Sequence, residues 1–257
     1  MNADFSVTAA AAANAAAATP GPAPARRAAI SWSAGKDSWL AWLVAREQGH
    51  AVPSFFTMCH PDGRSLSHEI PPAWLARQVA ALGGQWRPVT VPPGGYAAAF
   101  DAELQALAAS GHDAVVFGDI DLQAHRDWLA PACERAGLRA LFPLWGRPRA
   151  ALAAEQIARG VQARVICVDE RWLDASFCGV AYDAAFLARL PAGVCPCGED
   201  GEFHTLVHGG PGFSAPLTLP DAPLERVASR PPYAPTHHVF QRLDGLALPG
   251  LNPGAPA

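Results

Sequence analysis

The residues of this sequence that could do chemistry begin with one short polar loop. It lies between an apolar run and a stretch with helical spacing, and it reads Ser33-Ala34-Gly35-Lys36-Asp37-Ser38. A strand–loop–helix turn points backbone N–H groups at whatever lies above the sheet, and such groups favour an anion. Lys36 adds positive charge, the two serines add hydroxyl donors, and Asp37 offers a carboxylate for Mg²⁺. The loop therefore predicts a phosphate site, with a capped tight turn and a solvated lysine as the structural alternative.

A second candidate group follows a later apolar run. Gly118 and Asp119 come directly after that run, and Arg126 lies two turns into the helix that follows. Because open parallel sheets bind ligands at the carboxyl ends of their strands, Gly118 predicts close approach of a ribose or α-phosphate. Asp119 would then bond a nucleophile or a ribose hydroxyl, and Arg126 would reach the α-phosphate. The alternatives are that Asp119 caps the helix and that Arg126 pairs with Asp127 or Glu134 on its surface.

Two carboxylates mark a third candidate site near the end of the chain. Glu199 and Glu202 are separated by two residues, and the neighbouring Gly198 and Gly201 argue for a tight irregular loop instead of a helix. Carboxylates this close repel each other, which raises the pKa of one of them or requires a cation, and an ammonium ion, a cationic substrate or Mg²⁺ would each serve. If ammonia is the nucleophile, a carboxylate here would bind NH₄⁺ and take its proton, which leaves NH₃ as the attacking group. A solvated acidic turn is the alternative.

Cysteines and histidines beside this loop invite comparison with zinc sites. Cys195 and Cys197 precede His204 and His208, but the C-x-C spacing is tighter than zinc sites usually show. A zinc site is therefore not predicted. Cys197 is the candidate thiol of the site because it adjoins the Gly198-Glu199 pair.

Alternating strands and helices would position all three groups. Five apolar runs alternate with helical patterns of ~10–15 residues, and they occupy residues 28–32, 52–58, 87–91, 114–117 and 138–142. This rhythm predicts an α/β fold with a doubly wound parallel sheet, followed by a smaller C-terminal α+β region. We divide the chain into a disordered Ala/Pro-rich tail (1–27), the loop-bearing domain (28–142), a substrate-binding region (143–220) and a Pro-rich C-terminal tail (221–257) with one strand near His238–Leu243.

Composition narrows the class of protein. The chain has 257 residues, of which 50% are hydrophobic, so it can bury a core. Its 19 Lys and Arg against 23 Asp and Glu give a net charge of −4, which argues against a nucleic-acid partner. No apolar run approaches the ~20 residues of a membrane helix, and the Ala-rich start makes a poor secretory signal. We expect a cytoplasmic protein with its six cysteines reduced and no membrane association.

The loop and three further strings resemble one family. The loop is similar to the PP-loop, SGGxDS, of the ATP pyrophosphatases, with Ala34 where glycine is usual. The strings are Thr57-Met58, Phe117-Gly118-Asp119-Ile120 with Pro143–Arg147, and Cys197-Gly198-Glu199-Asp200-Gly201-Glu202-Phe203-His204-Thr205. Together they resemble the diphthine–ammonia ligase family, including its bacterial relatives, over about residues 28–210. The last string is the most specific of them. The methyl group of Ala34 stands where glycine would let phosphates approach the backbone most closely.

The resemblance implies a Rossmann-like PP-loop domain of the HUP type that uses ATP and Mg²⁺. Members of the superfamily transfer AMP to a substrate oxygen and release pyrophosphate, so Ser33–Ser38 would hold the triphosphate and Thr57-Met58 the base. Asp119, Arg126, Glu199 and Glu202 would serve the reaction, in which ammonia converts an activated carboxylate to an amide. Diphthine on elongation factor two is the acceptor that the family implies. The Ala/Pro/Arg-rich composition is typical of a high-GC bacterial gene, so a small-molecule or protein carboxylate is all that we predict.

Two other functions stay open at this point. One is a PP-loop enzyme of the tRNA-thiolating type that uses a cysteine as sulfur carrier. The other is a module that binds ATP or AMP without turnover. The sequence shows neither the oligomeric state nor whether ammonia arrives free or from a glutaminase.

Overall fold

A computed structural model of the protein describes residues 26–229 and 235–243. The first part of the chain alternates strands with helices: β1 (Arg27–Ser31), α1 (Lys36–Glu47), β2 (Ala51–Cys59), α2 (Pro72–Ala81), β3 (Gln85–Thr90), α3 (Tyr96–Ala109), β4 (Ala114–Val116), α4 (Gln123–Arg135) and β5 (Arg139–Leu141). The later elements are α5 (Arg149–Ala158), β6 (Gln162–Asp169), a 3₁₀ turn (Ala175–Phe177), α6 (Ala184–Arg189), β7 (Phe203–Gly209), β8 (Leu224–Ala228) and β9 (His237–Gln241).

Strands β1 to β5 form one parallel sheet in the order β3-β2-β1-β4-β5. The chain builds outward from β1 in one direction and then returns to add β4 on the other side. Parallel sheets of this kind bind ligands at the crevice where the direction reverses, which here lies between the carboxyl ends of β1 and β4. The predicted doubly wound parallel sheet is confirmed.

Successive side chains of a β-strand point to opposite faces of the sheet, so alternate residues of the central strands lie in two separate hydrophobic cores. Ala28 and Ile30 of β1 pack with the apolar faces of α1 and α2, whereas Ala29 packs with α3 and α4. The first core continues without a break into the second sheet through residues such as Val165 and Phe203. The two sheets therefore share one core on the face that carries α1.

Strands β6 to β9 form a four-stranded antiparallel sheet in the order β7-β6-β9-β8. The smaller C-terminal region is confirmed, but two of its strands were not recognised in the sequence. β7 begins just after residues 195–201, which contain two cysteines and two glycines, and β8 follows the Pro-rich residues 211–223 and is mostly exposed. Both are bounded by turn residues that hide a short strand from periodicity arguments.

The predicted domain boundaries can be compared with the strands only in part. The C-terminal sheet continues past residue 220, where the sequence predicts a tail, since β8 and β9 both follow that point. The single late strand predicted near His238–Leu243 corresponds to β9. Residues 1–25 of the predicted N-terminal tail lie outside the described residues, and β1 begins at Arg27.

Candidate active site

The loop between β1 and α1 is held against β7 of the second sheet. The Val207 amide donates to the Ala34 carbonyl at 3.0 Å, and the Lys36 amide donates to the Thr205 hydroxyl at 3.1 Å. Gln78 of α2 completes this contact, because its Nε2 donates to the carbonyls of Ala34 (3.1 Å) and Val207 (2.5 Å). The conformation of the loop thus depends on strands from both sheets.

Ala34 occupies a backbone conformation that favours glycine. Its φ is +68°, in the left-handed region, where a Cβ costs roughly 1 kcal/mol or more. Its side chain is fully buried and points into the core, away from the cleft described below. The alanine therefore strains the loop instead of obstructing phosphates, and its carbonyl is held by the bonds from Gln78 and Val207.

The amino end of α1 has no side-chain cap. Gly35 stands at the N-cap position, and a Cβ there would lie 3.0 Å from His68 Cε1. The hydroxyls around it bond within the loop, from Ser33 to Ser38 (3.1 Å) and from Ser38 to the Gly35 carbonyl (2.9 Å). The Lys36 amide bonds Thr205, but the helix start still carries partial positive charge and further N–H groups without partners inside the helix, an arrangement that binds anions.

Lys36 turns into the interior and joins the loop to the acidic segment. Its Nζ bonds Asp37 Oδ2 at 2.7 Å and the Cys197 carbonyl at 2.5 Å. Burial by itself lowers the pKa of Lys36, but the neighbouring charges, above all that of Asp37, raise the pKa above its ordinary value. Asp37 Oδ1 also accepts a bond from Gln156 Nε2 of α5, at 2.7 Å. The lysine is thus a fixed cation inside the site.

A cleft of about 1450 Å³ opens at the carboxyl ends of β1, β2 and β4. This volume exceeds that of usual single-ligand pockets, roughly 300–1,000 Å³, so the cleft has room for a nucleotide and an acceptor. Ten of the residues singled out in the sequence line it: Ser33, Gly35, Lys36, Asp37, Ser38, Thr57, Met58, Gly118, Asp119 and Glu199. Three others, Ala34, Arg126 and Glu202, do not.

Two of the lining residues also have structural reasons for their type. A Cβ on Gly118 would lie 3.0 Å from the Ser38 nitrogen, so glycine lets β4 approach the first turn of α1 closely. The Thr57 hydroxyl donates to the Trp32 carbonyl (2.8 Å) and accepts from Trp86 Nε1 (3.1 Å), which ties the end of β2 to that of β1.

Asp119 and Arg126 are separated by the fold. Asp119 Oδ1 bonds His125 Nδ1 at 2.8 Å inside the cleft, and it does not cap α4, whose N-cap is Leu122 without a side-chain bond. The Arg126 guanidinium lies over the ring of Trp145, 4.7 Å from its centroid, outside the cleft lining. The contact between Arg126 and an α-phosphate stays a prediction, and it would require the guanidinium to turn from Trp145 toward the cleft.

The two carboxylates of the acidic loop have different environments. Glu199 lines the cleft, and burial, together with the charge of Asp37, raises its pKa to about 7. Glu202 is buried away from the cleft, and its two oxygens accept the amides of Cys195 (2.8 Å) and Asp200 (3.0 Å). Glu202 thus holds the loop in shape from outside the cleft lining, and its predicted part in the reaction stays a prediction.

Arg149 fastens this loop to the other side of the cleft. Its guanidinium binds Asp121 through two bonds of 2.7 and 2.8 Å and Asp200 through one of 2.9 Å. It also donates to Cys195 Sγ at 3.4 Å. Cys195, Asp200 and Glu202 lie close enough together to hold a metal ion, but the arginine already supplies the positive charge there.

Two histidines that sequence reasoning did not place in the site stand over the loop. The rings of His68 and His204 lie 4.6 Å apart, and both line the cleft. His68 Nδ1 donates to the Ser33 carbonyl at 2.8 Å. Burial lowers the pKa of His68 to about 4 and that of His204 well below its usual value, so both rings are neutral near pH 7. His68 lies in an irregular turn that offers no sequence signal, whereas His204 belongs to the acidic string itself.

The cysteines near the site are not arranged for zinc or for nucleophilic attack. Cys197 Sγ donates to the Arg149 carbonyl at 3.1 Å, and burial raises the pKa of this thiol to about 12. His204 stacks on His68, and His208 has a buried Nδ1 without a bond in the described residues. Cys197 therefore takes part in the site through its carbonyl, which accepts from Lys36, and not through a thiolate.

The sheet, its switch point and the uncapped loop define a PP-loop α/β protein. The model of the diphthamide synthase N-terminal domain matches residues 26–140, and that of the diphthamide synthase C-terminal domain matches residues 150–225. The chain therefore belongs to the diphthamide synthase, or diphthine–ammonia ligase, family, and it is an ATP-utilising enzyme of the PP-loop ATP pyrophosphatase type. ATP, usually with Mg²⁺, is the nucleotide of that type.

Curated proteins and solved structures do not extend the family assignment. No curated protein matches the chain. A solved structure described as a predicted subunit of tRNA methyltransferase from Methanocaldococcus jannaschii shares 14% identity at a TM-score of 0.40, covering 72% of this chain and 98% of that one. Among residues 26–229 and 235–243, no helix has the length and apolar character to cross a bilayer.

Proposed function

We propose that this enzyme activates a carboxylate with ATP and converts it to an amide with ammonia. A carboxylate oxygen of the acceptor attacks the α-phosphorus, the bond to the β-phosphate oxygen breaks, and pyrophosphate leaves. Ammonia then attacks the acyl carbon, AMP leaves, and one proton is released. The observation that carries the proposal is Glu199, a carboxylate with a pKa of about 7 in the same cleft as the PP-loop.

The loop residues suit the first half-reaction. The first-turn amides of α1 and the fixed charge of Lys36 would hold the triphosphate and stabilise pyrophosphate as it leaves. Asp37 fits a Mg²⁺ ion held chiefly by phosphates and water, since Lys36 and Gln156 each use only one lone pair of an oxygen. Mg²⁺, when bound, would neutralise phosphate charge. We place the adenine beside Thr57 and Met58, at the end of β2.

Glu199 suits the second half-reaction. ATP is anionic, so a carboxylate beside it addresses a cation or a nucleophile instead of the phosphates. A base with a pKa near the working pH is well matched to accept a proton from ammonium, which leaves NH₃ as the attacking group. Asp119, held by His125, lies on the β4 side of the same cleft and would orient the acceptor.

The two rival functions find less support in the structure. A sulfur carrier needs an accessible thiolate, whereas burial raises the pKa of the Cys197 thiol to about 12. A module that only binds ATP or AMP gains nothing from a carboxylate such as Glu199, whose charged form is destabilised by burial in the same cleft. A pKa perturbed in a cleft is more typical of a catalytic group.

The test separates the half-reactions. Pooled metabolite and peptide fractions are screened for acceptor-dependent pyrophosphate–ATP exchange, and active fractions are then assayed for ammonium-dependent release of AMP. Glu199→Gln should keep the exchange and lose most of the ammonium-dependent product, while Glu134→Gln, on the exposed face of α4, should keep both. Equal loss of both activities would place Glu199 in nucleotide binding. Nucleotide binding without exchange in any fraction would favour the binding module.

A further inference from the structure

Aromatic side chains are exposed at the end of the cleft farthest along α3 and α4. Among the described residues, five large hydrophobic side chains are exposed, and three of them line this cleft: Tyr96 (44%), Leu122 (48%) and Trp128 (39%). Such clustering leaves apolar surface in contact with water that a folded protein ordinarily covers, and it marks a binding surface. We call Tyr96, Phe100 and Trp128 the aromatic platform.

The rings of the platform pack against one another and leave parts of Tyr96 and Trp128 exposed in the cleft. Tyr96 and Phe100 are parallel within 9°, with centroids 6.1 Å apart. Trp128 is inclined to both, by 47° to Tyr96 at 5.8 Å and by 44° to Phe100 at 4.9 Å. A flat ligand ring can stack on the exposed part of one of these rings or meet it edge-on, the two geometries that aromatic pairs prefer.

The platform adjoins the place where the acceptor must react. Gly118 touches the first turn of α1, and Asp119 follows it at the end of β4. The charge of Asp119 reaches the hydroxyl of Tyr96, where it adds to burial in raising the pKa of that phenol. A ligand on the platform therefore lies near Asp119 and the strand end that abuts the PP-loop.

Charge fixes which end of an acceptor occupies the platform. The Asp119 carboxylate repels an acid group placed beside it, and its nearest partner is the protein's own His125, at 2.8 Å. The amino end of α1 attracts an acid group. An acid with one apolar end is thus oriented with that end on the platform and with its carboxylate toward the loop.

We propose that the acceptor is an aromatic carboxylic acid whose ring packs on the exposed surfaces of Tyr96 and Trp128. Only the reaction of the acceptor's carboxylate depends on the proposed adenylation. Binding of the ring is a separate property that can be measured without turnover.

The experiment is calorimetry on the full chain with Mg²⁺ and a non-hydrolysable ATP analogue present. The probes are phenylacetate and indole-3-acetate, cyclohexylacetate as a shape-matched acid without π electrons, and betaine as an acid with a quaternary ammonium group. We expect the aromatic acids to bind more tightly than the other two. Trp128→Ala should weaken their binding about tenfold or more, the ~1.4 kcal/mol expected when an aromatic pair and its buried area are lost.

The control is Trp172→Ala, because Trp172 is exposed to a similar extent (43%) but lies outside the cleft. It should leave binding of every probe unchanged. Failure of both aromatic acids to bind, equal binding of cyclohexylacetate, or a preference for betaine would overturn the proposal. So would a loss of affinity for the ATP analogue in Trp128→Ala, since the platform would then stack adenine. Aromatic acids that bind through Trp128 without pyrophosphate release would refute the proposed adenylation and leave this inference standing.

Discussion

Glu199→Gln should make the protein more stable at neutral and alkaline pH. Glu199 is displaced from its ordinary pKa of 4.5 to about 7, chiefly because burial penalises its charge. The folded state therefore binds this proton more tightly than the unfolded state does, so the stability from this group falls as pH rises from about 4.5 to about 7. At roughly 1.4 kcal/mol for each tenfold change in proton affinity, the charged side chain costs the folded protein about 3 to 4 kcal/mol above pH ~7. Glutamine keeps the shape and removes this cost.

The assay is urea unfolding of both proteins at intervals from about pH 4.5 to about pH 8.5. The free energies of unfolding should nearly coincide at the acid end and separate by about 3 to 4 kcal/mol at the alkaline end, with the variant the more stable. Glu134→Gln, on an exposed helix face, should follow the unsubstituted protein throughout. A constant difference between Glu199→Gln and the unsubstituted protein at every pH would refute the idea that Glu199 carries a raised pKa. A difference that grows toward low pH would mean that folding lowers the pKa of Glu199 instead of raising it.

Three further predictions concern the loop and its support. Lys36→Ala and Asp37→Asn should each weaken Mg-ATP binding about tenfold, as judged by calorimetry at a temperature where both variants are folded; unchanged affinity in both would remove the phosphates from this loop. Ala34→Gly relieves a left-handed alanine and should raise the free energy of unfolding by up to about 1 kcal/mol in urea titrations, and a loss of stability would show that the methyl group's packing outweighs the strain. Glu202→Gln sets an amide NH₂ against backbone N–H groups and should destabilise the protein by roughly 1–3 kcal/mol in the same assay, whereas an unchanged midpoint would mean that Glu202 is free of those bonds.

The sequence by itself determined the features that depend on neighbours along the chain. Apolar runs alternating with helical patterns specify a parallel sheet, and the polar hexapeptide between the first strand and the first helix specifies an anion site at the helix start. These inferences succeed because periodicity, turn chemistry and helix ends are set within a few residues. The acidic string of residues 197–205 was identified by its resemblance to the family, since its residue types alone also fit a solvated turn.

Only the tertiary structure decided what each side chain of the site faces. The hydrogen bond between Lys36 and the Cys197 carbonyl joins residues 161 positions apart, and no local sequence pattern predicts it. Glu199 and Glu202 have the same side chain and lie three positions apart. Glu199 lines the cleft and has a pKa of about 7, whereas both oxygens of Glu202 accept hydrogen bonds from backbone amides. The difference arises because backbone amides bond both oxygens of Glu202, whereas Glu199 is buried near the charge of Asp37. That charge reaches Glu199 because the second sheet brings the acidic loop against the PP-loop.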